Sequence, residues 1–291
     1  MIYYYLSRIH RILVKSETLS KKTIAIGNFS FGGAGKTPFT IFLANKLKEK
    51  FKVIILSRGY KRKDKDIQLV RDKDIYVEKV GEEPYIIHLK TGLKVFVYKN
   101  RLLASKIAID LYNPDILIYD DALQYWKINF DKKILILNHR DLRGWRVFPF
   151  GKFREPIEEI KRVDIVVINF KFEEPFEIIE FMNKPAFCMK YKILNKFDFK
   201  DVVAFCGIAD SLSFKSILEK FYNVVYFKSF PDHHYYKEKD LEGLRKLKLP
   251  IITTLKDYVK VQNKENVFYL DIDIEVKDFK RLYDIIFQIP I

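Results

Sequence analysis

The fold is decided by residues 22–38, which read KTIAIGNFSFGGAGKTP. Residues 23–26 are apolar and rich in β-branched side chains, as is typical of a short buried parallel strand. A glycine-rich loop ending in a lysine and a threonine follows, and then a periodic apolar run that predicts a helix. A strand, a glycine loop and a helix start, in this order, present converging backbone N–H groups to an anion. The stretch therefore predicts a loop that binds the phosphate groups of a nucleotide.

The predicted phosphate loop comprises Ser30, Phe31, Gly32, Gly33, Ala34, Gly35, Lys36 and Thr37. Lys36 would reach the β- and γ-phosphates, and the hydroxyl of Thr37 would ligate Mg²⁺. The strict pattern of such loops has a glycine where Ser30 stands, so this loop is a variant of the GGxGKT kind. A glycine turn followed by a chance Lys-Thr pair is the alternative, and the flanking strand and helix argue against it.

Composition limits the class of protein and the kind of partner. With 291 residues, of which 48% are hydrophobic, the chain suits one large domain or two modest ones. Its two cysteines, Cys188 and Cys206, lack metal-ligand spacing, which indicates a reduced cytosolic setting. The net charge of +15 favours an anionic partner: nucleic acid, anionic lipid or a phosphorylated substrate. Charge alone does not choose among them.

Residues 1–16, MIYYYLSRIHRILVKS, predict a basic amphipathic helix. Its apolar run is far shorter than the roughly 20 residues that a bilayer-spanning helix needs. Such a helix lies in an anionic membrane interface, or it packs as an ordinary helix on the domain that follows. The sequence leaves both alternatives open.

Two acidic motifs lie downstream of the loop. Residues 115–121, DILIYDD, predict a strand with Asp120 and Asp121 at its C-terminal end, where a Walker B carboxylate binds Mg²⁺. Successive side chains of a strand alternate faces, so we expect one of the two to touch the metal directly; an ordinary polar strand exit is the alternative. Residues 80–84, VGEEP, open a helix, where Glu82 either takes part in chemistry or complements the helix dipole.

The sequence predicts two domains after the N-terminal helix. Residues 183–185, Asn-Lys-Pro, form a turn signal that separates a nucleotide-binding domain over 17–183 from a smaller α/β domain over 184–291. The smaller domain contains the segment FPDHHY, with His233 and His234. A histidine pair of this kind is more often structural than catalytic.

Eight short blocks in series resemble those of the tetraacyldisaccharide 4′-kinases, which phosphorylate the lipid A precursor. They are GNFSFGGAGKTP at 27–38, SRGY at 57–60, VGEEP at 80–84, DDALQY at 120–125, FREP at 153–156, AFCGI at 204–208, FPDHH at 230–234 and TTLKD at 253–257. Each block alone is a weak signal, whereas the series in this order is highly specific.

The resemblance implies a fold and a reaction. The fold is a P-loop NTPase-like α/β/α sandwich with a second, smaller α/β domain that closes over a cleft. The reaction is transfer of a phosphoryl group from ATP, with Mg²⁺, to the 4′-hydroxyl of a tetraacylated glucosamine disaccharide 1-phosphate. The partners are an anionic glycolipid and the cytoplasmic face of the inner membrane, where the chain would be peripheral or N-terminally anchored; nucleic acid is not expected.

The resemblance also implies roles for individual residues. Mg²⁺ would be handled by Thr37, Asp121 and Glu155, directly or through water, with Asp120 beside them. Arg154 would approach the phosphates or the acceptor, and Lys36 would assist the transfer. His233 would pair with Glu82, which stands where the family has its proposed general base.

The chain departs from the family in three blocks. Glu82 replaces an aspartate, which extends the carboxylate by about 1.5 Å. A misplacement of about 1 Å can cost on the order of 100-fold in rate, so we expect the backbone to retreat or the activity to suffer. DDALQY replaces DDGFQH, and Lys152-Phe153 stands where the family usually has Pro-Leu.

Two other protein classes are alternatives. A positioning or partitioning ATPase of the ParA/MinD type also has a GGxGKT loop, but it carries a signature lysine where Phe31 stands. A nucleic-acid-binding protein would fit the charge, but the sequence shows neither an RNP-like nor a zinc-finger pattern.

Overall fold

The structure, a computed structural model, describes Ile9, residues 11–71 and residues 77–288. Most of the amphipathic helix predicted over 1–16 lies outside the described residues; Ile9 and residues 11–13 are helical. No helix within the described part of the chain combines the length and the apolar character needed to cross a bilayer.

Strands and helices alternate along the chain, as the sequence predicts for an α/β fold. The strands are β1 Lys22–Gly27, β2 Val53–Ser57, β3 Gln68–Val70, β4 Val95–Val97, β5 Ile116–Tyr119, β6 Lys132–Asn138, β7 Ile165–Asn169, β8 Glu180–Phe181, β9 Lys184–Ile193, β10 Asp201–Cys206, β11 Asn223–Ser229, β12 Ile251–Thr254, β13 Val267–Leu270 and β14 Ile272–Val276. The α-helices are α1 Lys36–Leu47, α2 Val77–Val80, α3 Glu82–Thr91, α4 Arg101–Tyr112, α5 Ser211–Leu218, α6 Glu238–Arg245, α7 Leu255–Tyr258 and α8 Phe279–Phe287.

The large sheet has the order β14-β9-β7-β6-β1-β5-β2-β4-β3, and β8 pairs with β9. The strands from β4 to β9 in this order are parallel, and β3 is antiparallel at the edge. β1 lies between β5 and β6. The phosphate loop therefore leaves the sheet from an interior strand, with the ends of two neighbouring strands beside it.

Both faces of the large sheet are covered. Ile24 and Ile26 face a core formed with α1 and α8, whereas Ala25 faces a second core formed with α4. Alternate residues of one strand thus enter different cores, which explains why residues 24–26 of β1 are all apolar. The predicted α/β/α sandwich is confirmed.

A second sheet has four parallel strands in the order β11-β10-β12-β13. Val203 and Phe205 of β10 pack with Leu241 and Leu244 of α6 in its core. The chain forms two compact units, one of Met1–Lys192 with Ile274–Ile291 and the other of Ile193–Asp273.

This division differs from the predicted boundary at 184. The segment 182–183 is the turn of a hairpin between β8 and β9, with φ of 53° at Met182 and 59° at Asn183, the conformation that two-residue hairpin loops favour. β9 then pairs with β7 in the large sheet. The turn signal was correct, but it marks a hairpin rather than a linker, and the chain returns to the larger unit in α8.

Candidate active site

The phosphate loop adopts a conformation that requires glycine. Gly32 and Gly35 have φ of 98° and 101°, in the left-handed region that other residues rarely adopt. A Cβ at Gly35 would also lie 2.4 Å from Nδ2 of Asn169. Because Gly35 carries no side chain to cap α1, the first turn of that helix offers its backbone N–H groups to an anion.

The loop is braced from two sides. Asn169, at the end of β7, donates from Nδ2 to the carbonyl oxygen of Ala34 at 2.9 Å. On the other side, the backbone N–H of Phe31 donates to the carbonyl oxygen of Lys152 at 2.8 Å, and that of Arg154 donates to Phe29. A loop held in this way is ordered before any ligand binds, which lowers the cost of ordering it on binding.

Asn28 brings the two cations of the site together. It is fully buried directly after β1, and its Oδ1 accepts from Lys36 Nζ at 3.2 Å and from Arg154 Nη2. Its backbone oxygen accepts from Arg154 at 3.1 Å and from Gln124 Nε2 at 3.0 Å. Sequence reasoning did not assign a role to Asn28 or Gln124, although both lie in blocks that carry the family resemblance.

The two aspartates after β5 face different groups. Asp120 is buried and accepts from Thr40 Oγ1 at 2.9 Å, with Thr37 Oγ1 at 3.5 Å. Asp121 instead places Oδ1 3.6 Å from Lys36 Nζ and 3.9 Å from Arg154 Nη2. The structure thus brings Thr37 together with Asp120, and the two cations together with Asp121.

Arg101 holds the turn that carries both aspartates. Its buried guanidinium donates to the carbonyl oxygen of Asp121 at 2.9 Å and of Asp120 at 3.3 Å, and lies 4.4 Å from the ring centroid of Tyr125. Asp121 has a φ of 50°, a strained value that these contacts support. Sequence reasoning missed this role. The available signal was a cation at the first position of α4, where the helix dipole disfavours positive charge.

Burial and neighbouring charge shift the pKa values of the two carboxyl groups in opposite directions. Burial, together with the nearby Glu83 and Asp121 carboxylates, raises the pKa of Asp120 to about 7, against the opposing effects of Lys36 and the Thr40 hydrogen bond. Burial also acts to raise the pKa of Asp121, but Lys36, Arg154 and Arg101 bring that pKa below its ordinary value. Asp121 is therefore a stable anion, whereas Asp120 needs further positive charge to ionise fully at neutral pH.

Glu82 and Glu83 both open α3, after Gly81 with a φ of 92°. The predicted helix start at VGEEP is confirmed. Glu82 is buried, and Glu83 lies within electrostatic reach of Asp120. The carboxylate of Glu83 therefore belongs to the acidic side of the site, a placement that sequence reasoning did not make.

The donor set around Asp120 is chemically suited to Mg²⁺. Among the residues that the structure describes, no cluster of three or more His, Cys, Asp or Glu side chains is already arranged as a metal cage. Mg²⁺ does not require one, because it is commonly held by one or two carboxylates with water and the phosphates of the substrate. Burial first, and then the neighbouring Glu83 and Asp121 carboxylates, raise the pKa of Asp120, and the charge of a divalent cation would offset both effects.

The carboxylate of Glu155 contacts Gln124 and Arg162. Its Oε1 accepts from Gln124 Nε2 at 2.6 Å, and its Oε2 forms an ion pair with Arg162. The indole N–H of Trp145 donates to the backbone oxygen of Glu155 at 2.9 Å. These contacts orient Gln124, which in turn donates to Asn28. The metal-binding role implied for Glu155 stays a prediction.

The two histidines of the smaller unit differ in their surroundings. His234 lies 3.1 Å from Asp240 of α6 and stacks on Phe230, so it serves the packing of its own unit. His233 has a φ of 65°, donates its backbone N–H to Gly207 at 3.1 Å, and places Nε2 3.6 Å from Asp232. The predicted partner of His233, Glu82, belongs to the larger unit, and their pairing stays a prediction.

A sequence model of the Tetraacyldisaccharide-1-P 4'-kinase family matches residues 1–289. The chain belongs to this family. It is 35% identical to the Tetraacyldisaccharide 4'-kinase of Aquifex aeolicus, over 95% of this chain and 90% of that protein. It is 32% identical to the enzyme of the same name from Vibrio parahaemolyticus, over 89% of this chain and 80% of that protein.

A solved structure of the family extends the likeness to three dimensions. The "apo" form of LpxK from Aquifex aeolicus, in complex with ATP, is similar with a TM-score of 0.82 and 32% identity, covering 99% of this chain and 96% of that one. Membership of this kinase family decides against the ParA/MinD alternative. The series of short blocks was therefore a correct guide to the family.

Proposed function

We propose that this chain transfers the γ-phosphoryl group of ATP to the 4′-hydroxyl of a tetraacylated glucosamine disaccharide 1-phosphate. The observation that carries the proposal is the convergence of Lys36, Arg154 and Asp121 at the braced phosphate loop. Relatives with the same fold support it, since they are named for this reaction and one was solved with ATP.

Lys36 and Arg154 would stabilise the charge that develops on the transferring group. Phosphoryl transfer needs little covalent help from the protein, so positioning and positive charge account for most of the catalysis. Both cations already lie within 4 Å of Asp121 and are held by Asn28. They can turn from these contacts to phosphate oxygens without large movement of the backbone.

Thr37 and Asp120 would hold Mg²⁺, and Asp121 would bind it directly or through water. The chemistry that the ion would supply when bound is positive charge that offsets the charge of the phosphate groups. The 3.5 Å separation of Thr37 Oγ1 and the Asp120 carboxylate supports this pairing of ligands. Arg101 keeps the aspartates in place through their carbonyl oxygens and leaves both carboxylates available.

Glu82 would take the proton from the 4′-hydroxyl, with His233 as the residue that orients or tunes it. A general base must reach the proton it removes, and its pKa must suit neutral pH. Glu82 is buried in the first turn of α3, which supports a carboxylate held in a fixed position.

The acceptor is an anionic glycolipid, and we place the reaction at the cytoplasmic face of the inner membrane. Two observations support a membrane surface. The chain carries a net charge of +15, and Ile12 and Leu13 expose 75% and 77% of their surface. Apolar side chains next to basic residues are typical of segments that lie in an anionic interface.

Transfer of labelled γ-phosphate from ATP to a tetraacyldisaccharide 1-phosphate by the purified chain tests the proposal. We expect a labelled lipid product with the parent chain, and no product without Mg²⁺. Failure to form product with detergent-dispersed acceptor, while the chain still binds ATP, would contradict the proposed reaction.

A further inference from the structure

Three phenylalanines form an exposed surface beside the phosphate loop. Phe31, Phe148 and Phe150, here called the aromatic patch, expose 49%, 52% and 79% of their surface. The ring centroids of Phe31 and Phe148 are 5.9 Å apart in an edge-to-face arrangement. Single exposed apolar residues are ordinary, whereas exposed rings in contact across two loops mark an interaction surface.

The loop that carries the patch is ordered from within. Phe153 is fully buried and stacks on Trp145 with centroids 3.8 Å apart. The backbone N–H of Phe148 donates to Phe153, and that of Phe150 donates to Val147. A loop fixed at its base in this way holds its outer rings in water, although burying them would be favourable.

Charge along the loop of the patch is mainly positive, although Lys152 forms an ion pair with Asp141 and Arg154 lies 3.9 Å from Asp121. Residues 142–154 contain three arginines and one lysine, and no acidic residue. The guanidinium carbon of Arg154 lies 5.6 Å from the ring centroid of Phe31. Exposed aromatic rings among basic side chains are the composition that proteins use to contact anionic lipid surfaces.

We propose that the aromatic patch enters the interface of an anionic bilayer and holds the phosphate loop against the lipid surface. Phe31 belongs both to the patch and to the phosphate loop, so docking brings the transferring phosphate to the level of the lipid head groups. The acceptor hydroxyl can then be reached while the acyl chains stay in the bilayer. This inference rests on the proposed function, because it assumes a lipid acceptor.

A fluorescent probe tests the contact directly. Both native cysteines, Cys188 and Cys206, are buried, so an environment-sensitive dye can be attached selectively to Phe150→Cys. The matched control is Leu212→Cys, because Leu212 is 74% exposed and lies in the smaller unit. Vesicles of phosphatidylcholine with phosphatidylglycerol are compared with vesicles of phosphatidylcholine alone.

We expect the emission of the dye at position 150 to rise and shift to the blue with the anionic vesicles, and added salt to weaken the response. Position 212 should not respond. A silent dye at position 150 on chains that sediment with the vesicles would overturn the proposal, since another segment would then carry the binding. Equal responses at both positions would also overturn it.

A double variant tests the consequence for the reaction. Phe148→Ser with Phe150→Ser should raise the KM for a vesicle-borne acceptor by about tenfold, whereas Leu212→Ser should not. If the parent is a dimer and the double variant is a monomer, the patch joins two copies of the chain and the proposal is wrong. The parent's activity on detergent-dispersed acceptor separates this failure from failure of the proposed function.

Discussion

The phosphate-loop site of the larger unit and the His233 loop of the smaller unit are held in place by different means. In the first, groups of opposite charge face one another: Lys36 and Arg154 lie near Asp121. In the second, the ion pair is internal. Asp257 and Lys260 have side chains that are 0% and 1% exposed, with Oδ1 and Nζ 3.2 Å apart.

The internal pair shapes the backbone beside His233. Tyr236 donates its hydroxyl to Asp257 at 2.8 Å, and a Cβ at Gly207 would lie 2.8 Å from the same hydroxyl. Gly207 in turn accepts from the N–H of His233. The charges at the phosphate loop balance one another where Asp121 is partly exposed, whereas the charge pair of the smaller unit is satisfied in the interior.

The largest expected effect comes from breaking the buried ion pair of Asp257 and Lys260. Asp257→Ala removes the partner of a buried ammonium group and should lower the free energy of unfolding by about 3–5 kcal/mol. Chemical denaturation measures this loss. Glu265→Ala, at an exposed site of the same unit, is the control and should change stability little. A near-parental midpoint for Asp257→Ala would show that the pair is not needed to hold this unit.

The next largest expected effect concerns Glu82 of the larger unit and His233 of the smaller unit. Glu82→Gln should slow phosphoryl transfer by about 100-fold or more, because a base in contact with the reacting proton is lost. His233→Ala should also slow it, and the double variant should lose little more if the residues act as a unit. Rates under saturating ATP measure these losses.

Two outcomes would contradict this pairing. Near-parental activity of Glu82→Gln would remove that carboxylate from the mechanism, and full additivity would give His233 a separate role. Glu82→Asp is the informative intermediate, since it restores the family residue but shortens the reach.

Lys36→Ala tests the site that faces the ligand. Loss of positive charge at the phosphates should lower kcat by at least about 100-fold while the fold stays intact. Lys46→Ala is a matched control, because Lys46 is an exposed lysine of the same helix. Parental turnover in Lys36→Ala would exclude this loop as the catalytic one.

The smallest effect concerns Asp120 and pH. Its pKa is raised in the folded chain, so its ionisation destabilises the fold as pH rises from about 4 towards about 7. Without Mg²⁺, Asp120→Asn should therefore become more stable than the parent across this window, by on the order of 2 kcal/mol, and the two should converge below it.

Thermal unfolding over a pH series measures the difference between Asp120→Asn and the parent. Added Mg²⁺ with ATP should favour the parent instead, because the variant loses a charged ligand. A pH-independent difference would show that Asp120 keeps an ordinary pKa in the folded chain.

Local patterns predicted the centre of the fold well. The strand, loop and helix around Lys36, the aspartates after β5 and the helix that opens at Glu82 all follow from short-range signals, namely apolar runs, glycines and polar strand ends. These signals work because apolar periodicity reports which face of an element is buried, and glycines report local backbone conformation.

What the sequence did not predict depends on contacts between distant segments. Asn28 and Arg154 are 126 positions apart, and only the fold brings their side chains together. The turn signal at Asn183 occurs in linkers as well as in hairpins. Here the pairing of β9 with β8 and β7 makes it a hairpin. The position of Glu83 near Asp120 likewise needs the start of α3 to lie near the end of β5.

The return of the chain in α8 has a consequence for synthesis on the ribosome. Leu282 and Ile286 are fully buried in the same core as Ile24. The core around β1 therefore cannot be completed until α8 has left the ribosome. The smaller unit is one continuous segment, Ile193–Asp273, and is translated before that helix. Although domains commonly fold from the N-terminus first, here the unit that begins the chain is the last to be finished.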